Sequence, residues 1–101
     1  MILNKPGHKV YVIYDGNIFL ESAAYIGKHS FIVDGYEWRV DGAREWYYED
    51  YGKTWFTSFA AAKKFLLQDN LAYGRTGKIV QLATDYWEFK EAEVTNDKKD
   101  V

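Results

Sequence analysis

The sequence predicts a β-rich α+β fold, a small SH3-like antiparallel barrel with one helix packed against it in the C-terminal half. Two observations carry that prediction. Three Asp-Gly dipeptides, at 15–16, 34–35 and 41–42, separate short β-branched and aromatic runs within the first 42 residues. This is the pattern of a meander of hairpins that curls on itself. After Gly52 the period changes, and Phe59, Ala62 and Leu66 recur at i, i+3 and i+7, the apolar stripe of an amphipathic helix.

Each element follows from its residues. The run KVYVIY, Lys9 to Tyr14, is strand-forming and ends at Asp15-Gly16, which suits the positive φ angles of a two-residue hairpin turn. On the return strand Ile18, Leu20, Ser22, Ala24 and Ile26 fall on one face at period two, and this face is read as the packed one. Phe19, Glu21, Ala23 and Tyr25 fall on the other. Gly27-Lys28-His29 turns the chain into Ser30 to Asp34, and Asp34-Gly35 into Tyr36 to Val40. Asp41-Gly42 then leads to a strand over Glu45 to Tyr51.

Gly52 and Lys53 end the strands. A helix over about 58–68 follows, capped by Thr57 or Ser58, whose hydroxyl accepts a hydrogen bond from a free amide of the first turn. Phe65 borders the apolar stripe, and Lys63 and Lys64 are placed to complement the C-terminal end of the helix dipole. Asn70 to Lys78 reads as turn, Ile79 to Lys90 as a final strand or strand pair, and Glu91 to Val101 as a charged tail that frays. Residues 1–90 thus form a single domain, as a length of 101 residues and a 48% hydrophobic fraction imply.

The positions Val10, Val12, Gly16 and Ile18 spell V-x-V-x-x-x-G-x-I. Gly52, Lys53, Thr54, Phe56, Thr57 and Ala61 or Ala62 spell a G-K-T-x-F-x-T-x-x-x-A helix start. In this the chain resembles a group of small proteins from phages, mobile elements and related bacteria that has no agreed activity. The likeness covers most of residues 9–67. It implies an SH3-like barrel start with an appended helix and a mobile-element setting, and it carries over no catalytic residue. Members often have acidic residues in the first helical turn, where this chain has Phe59 and Ala60, so the capping box is missing.

Composition narrows the function. A net charge of −2 and a pI near 5.6 disfavour nonspecific attraction to nucleic acid or anionic membranes. The absence of cysteine removes disulfides, thiolate nucleophiles and Cys-ligated zinc. The start MILNKPGHK has no signal-peptide core, and no run approaches the roughly 20 apolar residues of a membrane helix. A cytoplasmic protein is expected, with no cofactor.

Catalytic patterns are weak. Gly74-Arg75-Thr76-Gly77-Lys78 has Ala72 where a phosphate loop begins and Ile79 where its hydroxyl belongs. His8 and His29 lack the spacing of a metal pair. No carboxylate pair is singled out, and Ser22, Ser30 and Ser58 have no nucleophile-elbow context. A noncatalytic protein is therefore predicted.

The distinctive feature is the aromatic and acidic run from Asp34 to Tyr51. Period two puts Trp46 and Tyr48 on one face of its last strand, with Glu45, Tyr47, Glu49 and Tyr51 on the other. Exposed tyrosines supply contact area at little entropic cost, and a rim of carboxylates selects a basic protein surface. Glu37, Glu45, Tyr47, Glu49 and Tyr51 are the predicted partner-binding residues, with Phe19 and Tyr25 as secondary ones. In a mobile-element setting such a module would inhibit or modulate a host protein with a basic surface. The same alternation also fits a plain solvated sheet face. Single-stranded nucleic acid stacking on an aromatic platform at Trp55 or Trp87 is a second functional reading. A structural, self-associating role, visible as a free strand edge that a second copy satisfies, is a third.

Overall fold

The computed structural model describes residues 2–33 and 44–92. Strands β1 (Lys9–Tyr14) and β2 (Asn17–Ile26) form the expected hairpin, paired from Lys9↔Ser22 to Tyr14↔Asn17. Its turn has φ +55° at Asp15 and +76° at Gly16, the left-handed pair that a two-residue turn needs and that glycine adopts without steric cost. Strand β3 (Ser30–Val33) pairs antiparallel with β2 and with β4 (Arg44–Tyr47); the strand expected from Tyr36 to Val40 and the turns at Asp34-Gly35 and Asp41-Gly42 lie outside the described residues.

The strand expected from Glu45 to Tyr51 stops at Tyr47 and passes into a 3-10 turn, Tyr48–Asp50. Tyr48 anchors the change: its amide donates to the His29 carbonyl, and its hydroxyl reaches the carbonyls of Gly27 at 3.0 Å and Leu3 at 3.4 Å. The turn redirects the chain into a strand that sequence reading missed, β5 (Trp55–Phe56), which pairs with β1 at Val12↔Trp55 and Tyr11↔Phe56. The order β4-β3-β2-β1-β5 is a curled antiparallel sheet, the SH3-like half-barrel predicted from the turns.

Inside the curl lie Val10, Val12, Phe19, Ala23, Phe31, Val33, Trp46, Tyr48 and Trp55. The predicted faces of β2 are therefore exchanged. Phe19, Glu21 and Ala23 point into the barrel, with Glu21 only 1% exposed, while Leu20, Ser22 and Ala24 are half-buried. Ile18, on the opposite side from Phe19, is buried under the helix. The period-two reading chose the face with fewer polar residues, but this strand packs on both sides. A bulge between Ala23 and Tyr25 then flips the alternation, so that Ile26 turns inward and Tyr25 outward.

Helix α1 (Phe59–Ala72) is capped by Ser58, whose Oγ accepts from the Ala61 amide at 3.2 Å. Ala62 and Leu66 are buried against Ile18 and Phe56 on the outer side of the sheet, and Phe59 and Phe65 flank them, as the stripe predicts. The helix runs four residues past its expected end because Asn70 extends the stripe by one turn beyond Leu66. It is buried and donates from Nδ2 to the Leu66 carbonyl at 2.8 Å. Gly74, at φ +76°, ends the helix. Lys63 and Lys64 consequently sit near its middle, and no basic residue occupies the last turn, so they do not serve the dipole as expected.

The closing strand pair is β6 (Gly77–Ala83) and β7 (Tyr86–Glu91). β7 also pairs with β2, from Asn17↔Glu88 to Phe19↔Tyr86. Of the expected tail, Glu91 belongs to β7 and the Ala92 amide donates to the Thr76 carbonyl; the rest lies outside the described residues.

At this junction the Tyr86 ring lies 4.7 Å from Phe19, and its hydroxyl donates to the Glu88 carboxylate. Burial raises the Tyr86 phenol from about 10 to about 12, helped by that hydrogen bond and by the charges of Glu88 and Asp15. The same hydrogen bond, followed by that from Lys90, holds Glu88 below the usual carboxylate range. A phenol whose folded pKa is raised contributes stability that is complete below pH 10 and is lost as pH rises through about 12. Denaturant midpoints are expected to fall over that window, and to fall less in Tyr86→Phe. Equal slopes in the two proteins would show that the pair does not contribute.

Candidate protein-binding face

The outer face of the β2-β3-β4 sheet is built by cross-strand register. Tyr25 stands opposite Ile32, and Ile32 opposite Glu45, so the three form one row; Ser30 stands opposite Tyr47 in the next. The inward neighbours Phe31, Val33 and Trp46 are buried, which commits the alternate side chains to solvent. Tyr25 is 64% exposed and Tyr47 46%. Between the rows the Glu45 carboxylate is fixed by two hydroxyls, Ser30 Oγ donating to Oε2 and Tyr47 OH to Oε1 at 3.3 Å. Trp55 Nε1 donates to the Tyr47 carbonyl at 2.8 Å, which ties this strand end to the core.

Past Tyr47 the surface folds into a recess of about 460 Å³ lined by Ile2, Lys28, His29, Tyr47, Tyr48 and Glu49. Glu49 is exposed on the 3-10 turn. Glu45, Tyr47 and Glu49 thus lie along one continuous surface, with Lys28 as a counter-charge at its edge.

Tyr51 does not join them. Because the strand ends at Tyr47, the Tyr51 ring instead packs on Trp55 at 4.8 Å and its hydroxyl lies 3.1 Å from Thr57 Oγ1. It borders a separate groove with Phe56, Lys64, Phe65 and Gln68. Glu37 lies outside the described residues. Phe19 is a core residue, 8% exposed, and is withdrawn as a contact candidate. Tyr25, secondary in the sequence, is the most exposed ring of the face. Ser30, Ile32 and Ile2 were not singled out, since only the register of β3 brings the first two beside Glu45, and Ile2 precedes the first strand.

Other sites resolve simply. Gly74 to Lys78 runs from a helix end into a strand, the reverse of the strand-loop-helix order of a phosphate loop. Its Arg75 stacks over Phe89 at 5.3 Å and reaches Glu91 at 3.6 Å. Among the described residues no three His, Cys, Asp or Glu side chains converge as metal ligands, and no helix is long and apolar enough to cross a membrane. No protein-family model, curated protein or solved structure matches this chain, so the face is read from its own chemistry.

Proposed function

We propose that the chain is a noncatalytic, cytoplasmic protein-interaction module that docks a basic protein surface on the outer face of β2, β3 and β4. The observation that supports this is the joining of Tyr25, Glu45 and Tyr47 on one sheet face, with Glu49 beside Tyr47 on the adjoining 3-10 turn. The tyrosines offer amphipathic contact area that is already ordered, and the carboxylates set the charge of the partner. The resemblance adds a setting in which a mobile-element protein modulates a host protein through its basic surface. The base-stacking reading draws less support, because Trp55 is wholly buried and Trp87 is half-buried with Phe59 at 4.8 Å.

The test is capture from host-type lysate with tagged protein, with and without nuclease and at two salt concentrations. A basic partner retained after nuclease and weakened by salt is expected. Tyr25→Ala with Tyr47→Ala should weaken that partner roughly thirtyfold, the scale of interface hot spots, while leaving thermal stability nearly unchanged. Glu45→Gln removes the charge, keeps one acceptor oxygen and replaces the other with an amide donor to which a hydroxyl of Ser30 or Tyr47 can turn a lone pair; it should chiefly lower the salt sensitivity. Recovery only through nucleic acid, or unaltered binding by the double variant, would refute this assignment.

A further inference from the structure

β6 is paired on one side only: among the described residues it meets β7 and no other strand. The direction of its free backbone groups follows from one hydrogen bond. The Ala92 amide donates to the Thr76 carbonyl at 2.7 Å, directly beyond the Gly77↔Glu91 pair. Hydrogen-bonded pairs alternate along an antiparallel ladder, so the next ones are Lys78↔Lys90 and Val80↔Glu88. Gly77, Ile79 and Gln81 therefore direct their amides and carbonyls to the open edge.

We infer that two copies of this chain join through these edges, antiparallel about a two-fold axis at Ile79. In that register Ile79 pairs with its own symmetry mate and Gly77 with Gln81 of the second copy. All three outward residues of each copy then form N–H···O bonds, six in total by the antiparallel pattern. A two-fold centred on any other residue of β6 leaves part of the set unused, and one centred on Lys78 also sets that lysine against its own symmetry mate.

The side chains agree with the register. Ile79 lies opposite Phe89 on the helix side, so the joined sheet carries the apolar row Phe89, Ile79, Ile79, Phe89. On the other side Lys78 meets Val80 of the second copy and not a second lysine. This matters because Lys78 already faces Lys90 within its own hairpin. The bulge between Gln81 and Ala83 ends the regular ladder, and pairing consumes the edge, so the assembly closes at two copies. The Tyr25 and Tyr47 rows share no residue with this edge, and a dimer presents that face twice.

Sedimentation velocity over two decades of concentration tests the inference on the full chain, with a shift from one-chain to two-chain mass expected. Val80→Lys places an ammonium beside Glu88 in its own chain but opposite Lys78 of the second copy, twice per dimer, and should raise the dissociation constant about tenfold. Gln81→Pro removes two of the six N–H donors without touching the β6-β7 ladder, and should weaken the dimer with far-UV circular dichroism unchanged. If Gln81→Pro disturbs the fold, Val80→Lys decides. A one-chain mass throughout, or a dimer indifferent to the deciding variants, overturns the proposal.

Discussion

Trp55→Ala is expected to lower the free energy of unfolding by about 3–5 kcal/mol, the range for emptying a large aromatic site in a core. Trp55 is 0% exposed and meets Phe31 edge-on at 4.9 Å, Tyr48 at 6.3 Å and Tyr51 at 4.8 Å. It is also half of the two-residue strand that joins the end of the meander to β1. Domains of this kind are stable by roughly 5–15 kcal/mol, so the variant should be marginal at room temperature. Trp55→Phe separates the contributions: it keeps most of the ring but leaves the Tyr47 carbonyl without its 2.8 Å donor, and should cost about 1–3 kcal/mol. Urea unfolding measures both, and a loss below about 1 kcal/mol in Trp55→Ala would show that the half-barrel does not depend on this closure.

Leu66→Ala should cost about 2–5 kcal/mol. Leu66 is 3% exposed and sits with Ile18, Phe56 and Ala62 in the second core, between the helix and the outside of the sheet. Phe59, Phe65, Trp87 and Phe89 surround that core, so the cavity would open where helix, sheet and closing hairpin meet. Leu71→Ala, on the same helix but 58% exposed, should stay within about 0.5 kcal/mol. If both variants unfold at the same denaturant concentration, the helix is an appendage and not part of the cooperative unit.

What could be read from the chain depended on whether a local rule had a competitor. Asp15-Gly16 had none, and both residues adopt the expected left-handed conformation. The stripe Phe59, Ala62, Leu66 had none either. In β2 two rules competed, since period two assumes one buried face, whereas Ile18 and Phe19 are both buried on opposite sides. The bulge after Ala23 has no local signature, yet it alone makes Tyr25 a surface residue. Glu21, on the face read as opposite the packed one, lies in the barrel. The candidate site was legible where alternation held: Trp46 and Tyr48 are buried, Glu45, Tyr47 and Glu49 exposed. It failed at Tyr51, because the 3-10 turn is fixed by what Tyr48 meets in distant segments, at Gly27 and Leu3.

The placement of β7 against β2 also sets an order in time. During synthesis the ribosome releases β1 to β5 first, and the half-barrel can close once Phe56 has emerged. Asn17 to Phe19 then keeps one bare flank until Tyr86 to Glu88 arrives to cover it. In that interval α1 can shelter the Ile18 side chain but not the backbone beside it. Until then the nascent chain carries a sticky flank at the strand around which the rest is arranged, and the β6-β7 hairpin, made after β1 to β5, is the piece that seals it.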